Sequence, residues 1–295
     1  MKAFLKRIIR RMYSVSLPKS LGYSKNTKLL IIHADDLGIS GSENAASIEA
    51  MEKGMVNSGS VMVTCPNFPE IADYSKTHPN ADIGIHLTIT SEWKSYKWKP
   101  VLPSNYVTSI IDSNGFLFET KVQIIKNAIA DDVEKEFRAQ IFKAIEAGID
   151  LTHIDTHMYT AFSNNEILKK YISLGKEFKL PVLITYKLPI STWFSKNVIV
   201  VDQLYCAQPK DYIQGLNDYY CEVLRSIKPG LNSILVHTAF NNKEMQDITG
   251  DQPDFGSAWR QADYDFFTSD QCRQLIQDNN IQLITWREIR DKLIR

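Results

Sequence analysis

The sequence predicts a single-domain α/β protein, folded as a distorted (β/α) barrel like a TIM barrel. Short apolar, β-branched runs alternate along the 295 residues with helix-like stretches. Several of these runs end in histidine or aspartate, as expected where parallel strands reach the C-terminal rim of a barrel. No internal repeat or flexible linker divides the chain, and its hydrophobic content of 44% is enough for one large core.

The first predicted strand, residues 29–37, ends in two adjacent carboxylates, Asp35 and Asp36, followed closely by Gly38. Neighbouring buried carboxylates repel each other, so such a pair is favoured beside a cation or where one carboxyl trades protons. Adjacent residues of an extended chain point to opposite sides, so one carboxylate can hold a metal while the other faces a substrate. For this motif alone, a simple strand-end turn is the alternative.

Helices and strands then alternate to the end of the chain. Residues 40–43 (Ser-Gly-Ser-Glu) fit a capping box, and the helix they begin ends at Gly54. A period of four from Val133 to Ile145 predicts another helix, closed by Gly148. Further helices are predicted up to residue 76 and over 212–227. The predicted strands are 29–37, 59–63, 83–88, 151–157, 182–184, 198–201, 233–238 and 281–285.

Five of the six histidines lie in or directly after these strands, namely His33, His86, His153, His157 and His237. A single histidine at a strand end is most often a hydrogen-bonded structural residue. Several such endings on separate strands of one parallel barrel converge on the same rim, which indicates a shared site. The sixth, His78, lies in a Thr-His-Pro-Asn turn and is expected on the surface.

Composition excludes several classes of protein. Lys plus Arg and Asp plus Glu both number 34, and no basic stripe interleaved with aromatic residues occurs, so a nucleic-acid partner is not expected. The four cysteines are scattered without a C-x-x-C motif, which favours reduced, packed thiols. No Gly-rich dinucleotide or phosphate loop and no G-x-S-x-G motif is present.

The N-terminus predicts a separate element. Residues 1–27 form an extension whose first part is a basic amphipathic helix, and residues 28–295 form the barrel domain. The helix can lie on an anionic membrane or dock on the barrel. No signal-peptide core or transmembrane run is present. We expect a cytoplasmic protein, with export, peripheral membrane contact and a homodimer left open.

Two long segments follow predicted strands and are rich in aromatic side chains. Residues 91–114 carry Trp93, and residues 241–265 carry Trp259 among other aromatic residues. Loops after barrel strands build the rim of the active site, where aromatic faces can stack on sugar rings. These rings can equally serve only to pin their loops to the barrel.

Four motifs resemble those of the YdjC-like carbohydrate deacetylases, a family that includes chitooligosaccharide deacetylases. They are His-Ala-Asp-Asp-Leu-Gly (33–38), Gly-Ile-His-Leu-Thr-Ile-Thr (84–90), Thr-His-Ile-Asp-Thr-His (152–157) and Val-His-Thr-Ala-Phe (236–240). Their order matches the family, and the resemblance runs from about Lys28 to the C-terminus. It implies a distorted (β/α) barrel and one divalent metal ion, described as Mg²⁺ for the family. The implied roles are metal ligand for Asp36, His86 and His157, base for Asp35 and acid for His237.

Three protein ligands leave positions for a water and a substrate oxygen, as a hydrolytic metal site requires. Two imidazoles and a carboxylate suit Zn²⁺ at least as well as Mg²⁺. We expect Asp155 to orient a ligand histidine. Arg260 is expected to pair with Asp35 or a substrate oxygen.

His153 is the main ambiguity among the candidate ligands. On an extended segment His153 and His157 lie roughly 13 Å apart, so both can bind one ion only if the chain turns sharply between them. The resemblance selects His157 as the ligand and leaves His153 as a structural or supporting residue.

The sequence also departs from the chitooligosaccharide deacetylases. After His157 it reads Met-Tyr-Thr, where those enzymes continue with further histidines, and it carries the aromatic segment 91–114. The expected partner is therefore an N-acetylated sugar or oligosaccharide without a more specific identity. A non-catalytic sugar-binding protein and a metal hydrolase of another bond, such as a phosphoester, remain as alternatives.

Overall fold

The computed structural model describes residues 17–185, 197–250 and 254–295. Its strands are β1 (Lys28–Leu37), β2 (Ser58–Val61), β3 (Ile83–Leu87), β4 (Ile154–Thr156), β5 (Val182–Thr185), β6 (Val198–Val201), β7 (Gln203–Cys206), β8 (Gly230–Val236) and β9 (Ile281–Leu283). Its helices are α1 (Gly41–Lys53), α2 (Phe68–Thr77), α3 (Lys121–Asn127), α4 (Ala130–Glu146), α5 (Asn165–Phe178), α6 (Pro209–Gln214), α7 (Leu216–Ser226), α8 (Lys243–Thr249), α9 (Ser257–Thr268), α10 (Asp270–Asp278) and α11 (Trp286–Leu293). Short 3-10 turns cover Ser104–Tyr106, Thr108–Ile110 and His157–Phe162.

The strands form a nearly closed parallel barrel, which confirms the predicted fold class. The hydrogen-bonded order is β6-β5-β4-β3-β2-β1-β8-β7, and β9 pairs with β1. β6 and β7 stand at the two ends of this order, yet a single residue, Asp202, joins them along the chain. The Asp202 N–H donates to the Leu231 carbonyl and its carboxylate accepts from the Leu231 N–H. One length of chain therefore crosses from β5 to β8 and closes the barrel.

β1 is the central strand. Its first residues pair with β9 on one side and with β8 on the other, and its later residues pair with β2. The ladder to β2 shifts register between Ala34 and Leu37. A bulge of this kind bends a strand and re-aims its side chains. Asp35 and Asp36 lie within the shifted segment.

The buried hydrophobic residues form two clusters, one between the barrel and its helices and one inside the barrel. Leu30 and Ile32 belong to the larger cluster, which packs between the strands and the helices. Leu29 and Ile31 belong to the smaller one, whose members come from several strands and from α11. Side chains of a strand alternate between its faces, so His33 and Asp35 continue the inward row that begins with Leu29 and Ile31.

Part of the predicted N-terminal extension contributes to this interior. Leu17 and Leu21 are buried in the smaller cluster, and the Tyr23 hydroxyl donates to Glu288. The predicted amphipathic face falls on residues 1–16, outside the described residues, so the boundary at residue 28 stays a prediction. Within the described part of the chain, no helix is both long and apolar enough to cross a membrane.

Several sequence predictions of elements were wrong in detail. The helix predicted over 212–227 is two helices, because Gly215 adopts a φ of 109° between α6 and α7. The long segment 241–265 is not a simple loop, since it contains α8 and most of α9. β7 was not predicted; its four residues, Gln-Leu-Tyr-Cys, lack a continuous apolar run.

We predict that Gly84→Ala destabilises the fold. A Cβ at position 84 would fall against the ring of the fully buried His153, which itself stacks on Trp286 with ring centroids 5.1 Å apart. Overpacking of this kind costs about 1–3 kcal/mol. Thermal unfolding of purified protein measures it. Gly41→Ala is the control, because a Cβ there meets only ordinary contacts. Equal melting temperatures for the two variants would contradict the prediction.

Candidate metal-binding and catalytic site

The two adjacent carboxylates, Asp35 and Asp36, lie at the register shift in β1 and contact different side chains. Asp36 adopts a left-handed backbone conformation with φ of 69°, which Asp tolerates better than most residues. Gly38 follows with φ of 98°, and its N–H donates to Asn44 Oδ1. Backbone strain of this kind persists where the surrounding structure fixes it and clusters at functional sites. Asp35 and Asp36 both line the same cleft.

The predicted metal ligands converge at this cleft. Asp36 Oδ1 lies 3.2 Å from His157 Nδ1 and 3.5 Å from His86 Nε2. Asp36 Oδ1 is buried and accepts no hydrogen bond. Ligand atoms of the three residues lie within 4.8 Å of one another. One carboxylate oxygen and two imidazole nitrogens are a donor set that binds divalent ions, so the residues fit the implied metal.

Hydrogen bonds fix which nitrogen of each histidine faces Asp36. His86 Nδ1 lies 2.7 Å from Asp155 Oδ1, and because a carboxylate only accepts, this nitrogen carries the proton. That leaves His86 Nε2 for the metal. His157 Nε2 lies 3.0 Å from Glu92 Oε2, which leaves Nδ1 on the Asp36 side. Asp155 therefore contacts a candidate ligand histidine as expected from the sequence, and Glu92 does the same for the other.

His157 lies between two carboxylates. Burial alone would lower its pKa, but Glu92 and Asp36 raise it to about 10. The chain turns sharply directly after His157, because Met158 and Tyr159 both adopt left-handed conformations.

Arg260 fixes the second oxygen of Asp36. Its Nη2 donates to Asp36 Oδ2 over 3.0 Å, and its Nη1 lies 2.7 Å from each oxygen of Glu43. The third donor, Nε, binds the Phe255 carbonyl. All three residues of the ion-paired group are buried. Arg260 therefore contacts Asp36 rather than the expected Asp35, and only Asp36 Oδ1 is left for a metal.

Glu43 departs from the predicted capping box. Ser40 caps α1 by accepting from the Glu43 N–H, as expected. The Glu43 side chain, however, binds Arg260 and does not return to the backbone of Ser40.

The positively charged and imidazole neighbours of Asp36 lower its pKa. Burial alone would raise this pKa, but His157, Arg260 and His237 hold it well below its usual range.

His237 follows β8, the strand that pairs with β1, and lines the same cleft. Its Nε2 lies 3.9 Å from Asp36 Oδ2, and its backbone N–H donates to the buried Asp263. Burial lowers the pKa of His237 to about 4, so the ring is neutral at neutral pH. Its ring meets Phe255 edge to face, with centroids 5.3 Å apart.

The cleft has a volume of about 330 Å³ and mixed walls. Asp35, Asp36, His86, His157 and His237 line its polar part. The apolar lining comprises Trp93, Met158, Tyr159, Phe162, Leu183, Leu235 and Phe255. Of the aromatic side chains of segment 91–114, only Trp93 lines the cleft, and its ring lies 5.3 Å from the Arg260 guanidinium. Trp98 is buried behind it, and Tyr106 is exposed elsewhere.

His153 lies below the cleft and does not line it. Its ring is fully buried, its Nδ1 contacts Thr152 Oγ1, and its Nε2 has no hydrogen-bond partner. Burial and the neighbouring His33 hold the pKa of His153 well below its usual range.

Two further groups of described residues could hold a metal by distance alone, His33 with His153 and Asp155, and Asp35 with His86 and Asp155. In the first, both histidines are fully buried beneath the cleft. In the second, Asp155 is already occupied by the proton of His86 Nδ1. The Asp36, His86 and His157 group is the one whose free donor atoms face the cleft.

Sequence reasoning missed Glu92 and Glu43 as parts of this site, and it gave His33, one of the five histidines expected at the rim, no role of its own. Glu92 stands next to Trp93 in a segment noted only for its aromatic rings. His33 carried a usable signal, because it lies two residues before Asp35 on the same face of β1.

Comparisons with known proteins identify a family and relatives of this chain. A family model described as YdjC-like protein matches residues 29–278. A carbohydrate deacetylase of Thermoanaerobacter pseudethanolicus is 26% identical over 259 residues, covering 88% of this chain and 98% of its own length. A carbohydrate deacetylase of Thermus thermophilus is 26% identical over 276 residues, covering 90% and 95%.

Among solved structures, an Enterococcus faecalis protein described in connection with cellobiose-phosphate cleavage superposes with a TM-score of 0.75. It is 24% identical, and the match covers 89% of this chain and 99% of that one. This likeness supports the fold.

We predict that Asp155→Asn weakens metal binding. The carboxylate holds the proton on His86 Nδ1, and loss of such a supporting contact costs about 10- to 100-fold in metal affinity. Competition with a chromophoric zinc chelator measures the dissociation constant. The matched control is Asp73→Asn, an exposed carboxylate paired only with Lys76. An unchanged zinc affinity in Asp155→Asn would refute the assigned contact.

Proposed function

The chain belongs to the YdjC-like protein family, and we propose that it is a carbohydrate deacetylase that uses one divalent metal ion to release acetate from an N-acetylated sugar. The observation that carries the proposal is the arrangement in one cleft. Three candidate metal ligands converge there, and a further carboxylate, Asp35, lines the same cleft without belonging to that set. The names of the relatives from Thermoanaerobacter and Thermus support the same activity.

Asp36 Oδ1, His86 Nε2 and His157 Nδ1 would hold the ion. When bound, a divalent cation polarises the acetamide carbonyl and lowers the pKa of a water. The two imidazoles favour Zn²⁺, whereas the family resemblance favours Mg²⁺.

Asp35 is the proposed general base. Its carboxylate is 7% exposed and lines the cleft beside the ligands. It takes a proton as a water oxygen bonds to the carbonyl carbon. Breakage of the C–N bond then yields acetate and the free amine of the sugar, and that amine nitrogen requires a proton.

His237 is the proposed acid. The ring rests neutral because burial lowers its pKa to about 4, so it must first take up a proton from solvent, and Asp35 returns its own proton to solvent once acetate has left. Negative charge that develops on the carbonyl oxygen during the reaction favours the imidazolium form. His237 then gives this proton to the departing nitrogen. Asp35 and His237 follow paired residues of the neighbouring strands β1 and β8 and line the same cleft, so one can take up a proton and the other supply one there.

The apolar walls support a sugar as the substrate. Trp93, Tyr159 and Phe255 line the cleft, and aromatic rings suit contact with the C–H faces of a sugar ring. Arg260 is proposed as a residue that positions Asp36, because its Nε, Nη1 and Nη2 are already hydrogen-bonded within the protein.

The same observation counts against a phosphoester substrate. Among the described residues that line the cleft, Arg260 is the one Lys or Arg side chain, and Glu43 and Asp36 neutralise it. A phosphate would find no cation to pair with apart from the metal. A sugar-binding protein without catalysis would need no carboxylate of the kind Asp35 supplies.

We predict that acetate release depends on the metal. The measurement is acetate produced from a panel of N-acetylated monosaccharides and oligosaccharides by chelated protein, and by protein reloaded with Zn²⁺ or Mg²⁺. Chelation should abolish turnover and reloading should restore it, since without the ion nothing polarises the carbonyl. Sugar binding that persists equally with and without chelator, with no acetate formed, would instead favour a binding protein.

We predict that Asp35→Asn lowers kcat by about 10²- to 10⁴-fold, the usual contribution of a general base. Asn is nearly isosteric but cannot take up the proton. Zinc affinity and sugar affinity should be retained, because Asp35 is not one of the proposed ligands. Asp73→Asn serves again as the control with normal turnover. Wild-type kcat in Asp35→Asn would remove Asp35 from the mechanism.

A further inference from the structure

A buried histidine that the proposed reaction leaves unused lies directly beneath Asp35. His33 belongs to the inward row of β1 and is fully buried. Its Nδ1 lies 2.8 Å from Ser58 Oγ on the neighbouring strand β2. Its Nε2 faces the other way, toward the carboxylates under the cleft.

Two carboxylates share that nitrogen. His33 Nε2 lies 2.9 Å from Asp155 Oδ2, with which it hydrogen-bonds, and 3.1 Å from Asp35 Oδ1, a close ion-pair contact in which Oδ1 accepts no hydrogen bond. Carboxylate oxygens only accept hydrogen bonds, so Nε2 carries a proton. Without a donor between them, two buried carboxylates this close would repel each other strongly.

The contacts continue from Asp155 to a candidate metal ligand. Asp155 Oδ1 lies 2.7 Å from His86 Nδ1. Ser60 closes the group: its hydroxyl donates to Asp155 Oδ2 and lies 3.1 Å from both His33 Nε2 and His86 Nδ1. A continuous buried path therefore runs from Asp35 through His33 and Asp155 to His86.

The surrounding packing keeps the His33 ring in place. His153 meets it edge to face, with ring centroids 4.9 Å apart, and is itself stacked on Trp286. The absence of a side chain at Gly84 makes room for the His153 ring. The ring of His33 is thus held by Ser58 on one side and by His153 on another.

We propose that His33 is a positioning residue whose ring, hydrogen-bonded to Asp155 and in close contact with Asp35, holds Asp35 in place as the base and links it to the Asp155–His86 pair. This rests on the proposed deacetylase function. His33 does not touch substrate or metal. It orients one carboxylate that accepts the water's proton and another that orients a metal ligand.

Two substitutions of His33 distinguish positioning from bulk packing. Glutamine is long enough to place an amide N–H near the position of Nε2, whereas asparagine reaches only the position of Nδ1. We expect His33→Asn to lower kcat by about 10- to 100-fold with KM retained and with a smaller loss of zinc affinity, and His33→Gln to recover part of the loss of kcat. His78→Gln, at an exposed histidine, is the control for the substitution itself.

Equal kcat values for wild type and His33→Asn would overturn the proposal. So would a loss of zinc affinity that matches the loss of kcat in both variants, because His33 would then act on the metal ligands alone.

A spectroscopic measurement tests the same link without turnover and without a His33 variant. In zinc-loaded protein carrying ¹⁵N-histidine, the Nε2–H of His33 should give a downfield, slowly exchanging proton signal. The signal should move in Asp35→Asn and in Asp155→Asn and stay in place in Asp73→Asn.

An Nε2 without a proton, or a signal indifferent to Asp35→Asn, would refute the link. If the expected signal is found but no sugar releases acetate, the deacetylase function fails and the contact between His33 and Asp35 stands. The failures of the two proposals are therefore distinguishable.

Discussion

The structure depends on the compensation of carboxylates buried at the C-terminal end of the barrel. Asp36 is almost inaccessible and is approached by His86, His157, His237 and Arg260. Removing a charge from water costs several kcal/mol unless partners replace the hydration. Each partner comes from a different element, so neutralising this one carboxylate fixes the relative positions of β1, β3, β8, α9 and the turn after β4. A bound cation would add to this compensation.

Local patterns in the sequence indicated the site residues that lie at the ends of strands. Asp36 and His86 belong to β-branched, apolar runs, and parallel strands bring their C-terminal ends to one rim whatever the details of packing. Asp155 was predicted because it shares a strand face with its histidine neighbours. Side chains of a strand alternate between its two faces with a period of two residues, so a few residues are enough to predict which side chains share a face.

Contacts between distant segments could not be predicted in the same way. Glu43 lies in a motif that fits a helix cap, yet its carboxylate binds Arg260, which is far along the chain. Nothing local distinguishes these two uses of a glutamate. Glu92 likewise lies in an irregular segment, where no period indicates which way a side chain points. Gly215 divides a helix because of its backbone conformation, although the apolar pattern on either side continues.

The pairing of β1 has a consequence for the order of folding. Lys28 pairs with Gly230 in β8 and with Ile281 in β9, so the central strand acquires these partners only through contacts that span most of the chain. Contacts between residues so far apart in the chain form slowly, because the intervening chain must first lose conformational entropy. Until then the apolar run Leu-Leu-Ile-Ile of β1 has unpaired edges and is prone to aggregate. The two carboxylates at its end acquire their partners late, so a metal ion can stabilise the finished barrel but has no assembled site to bind early in folding.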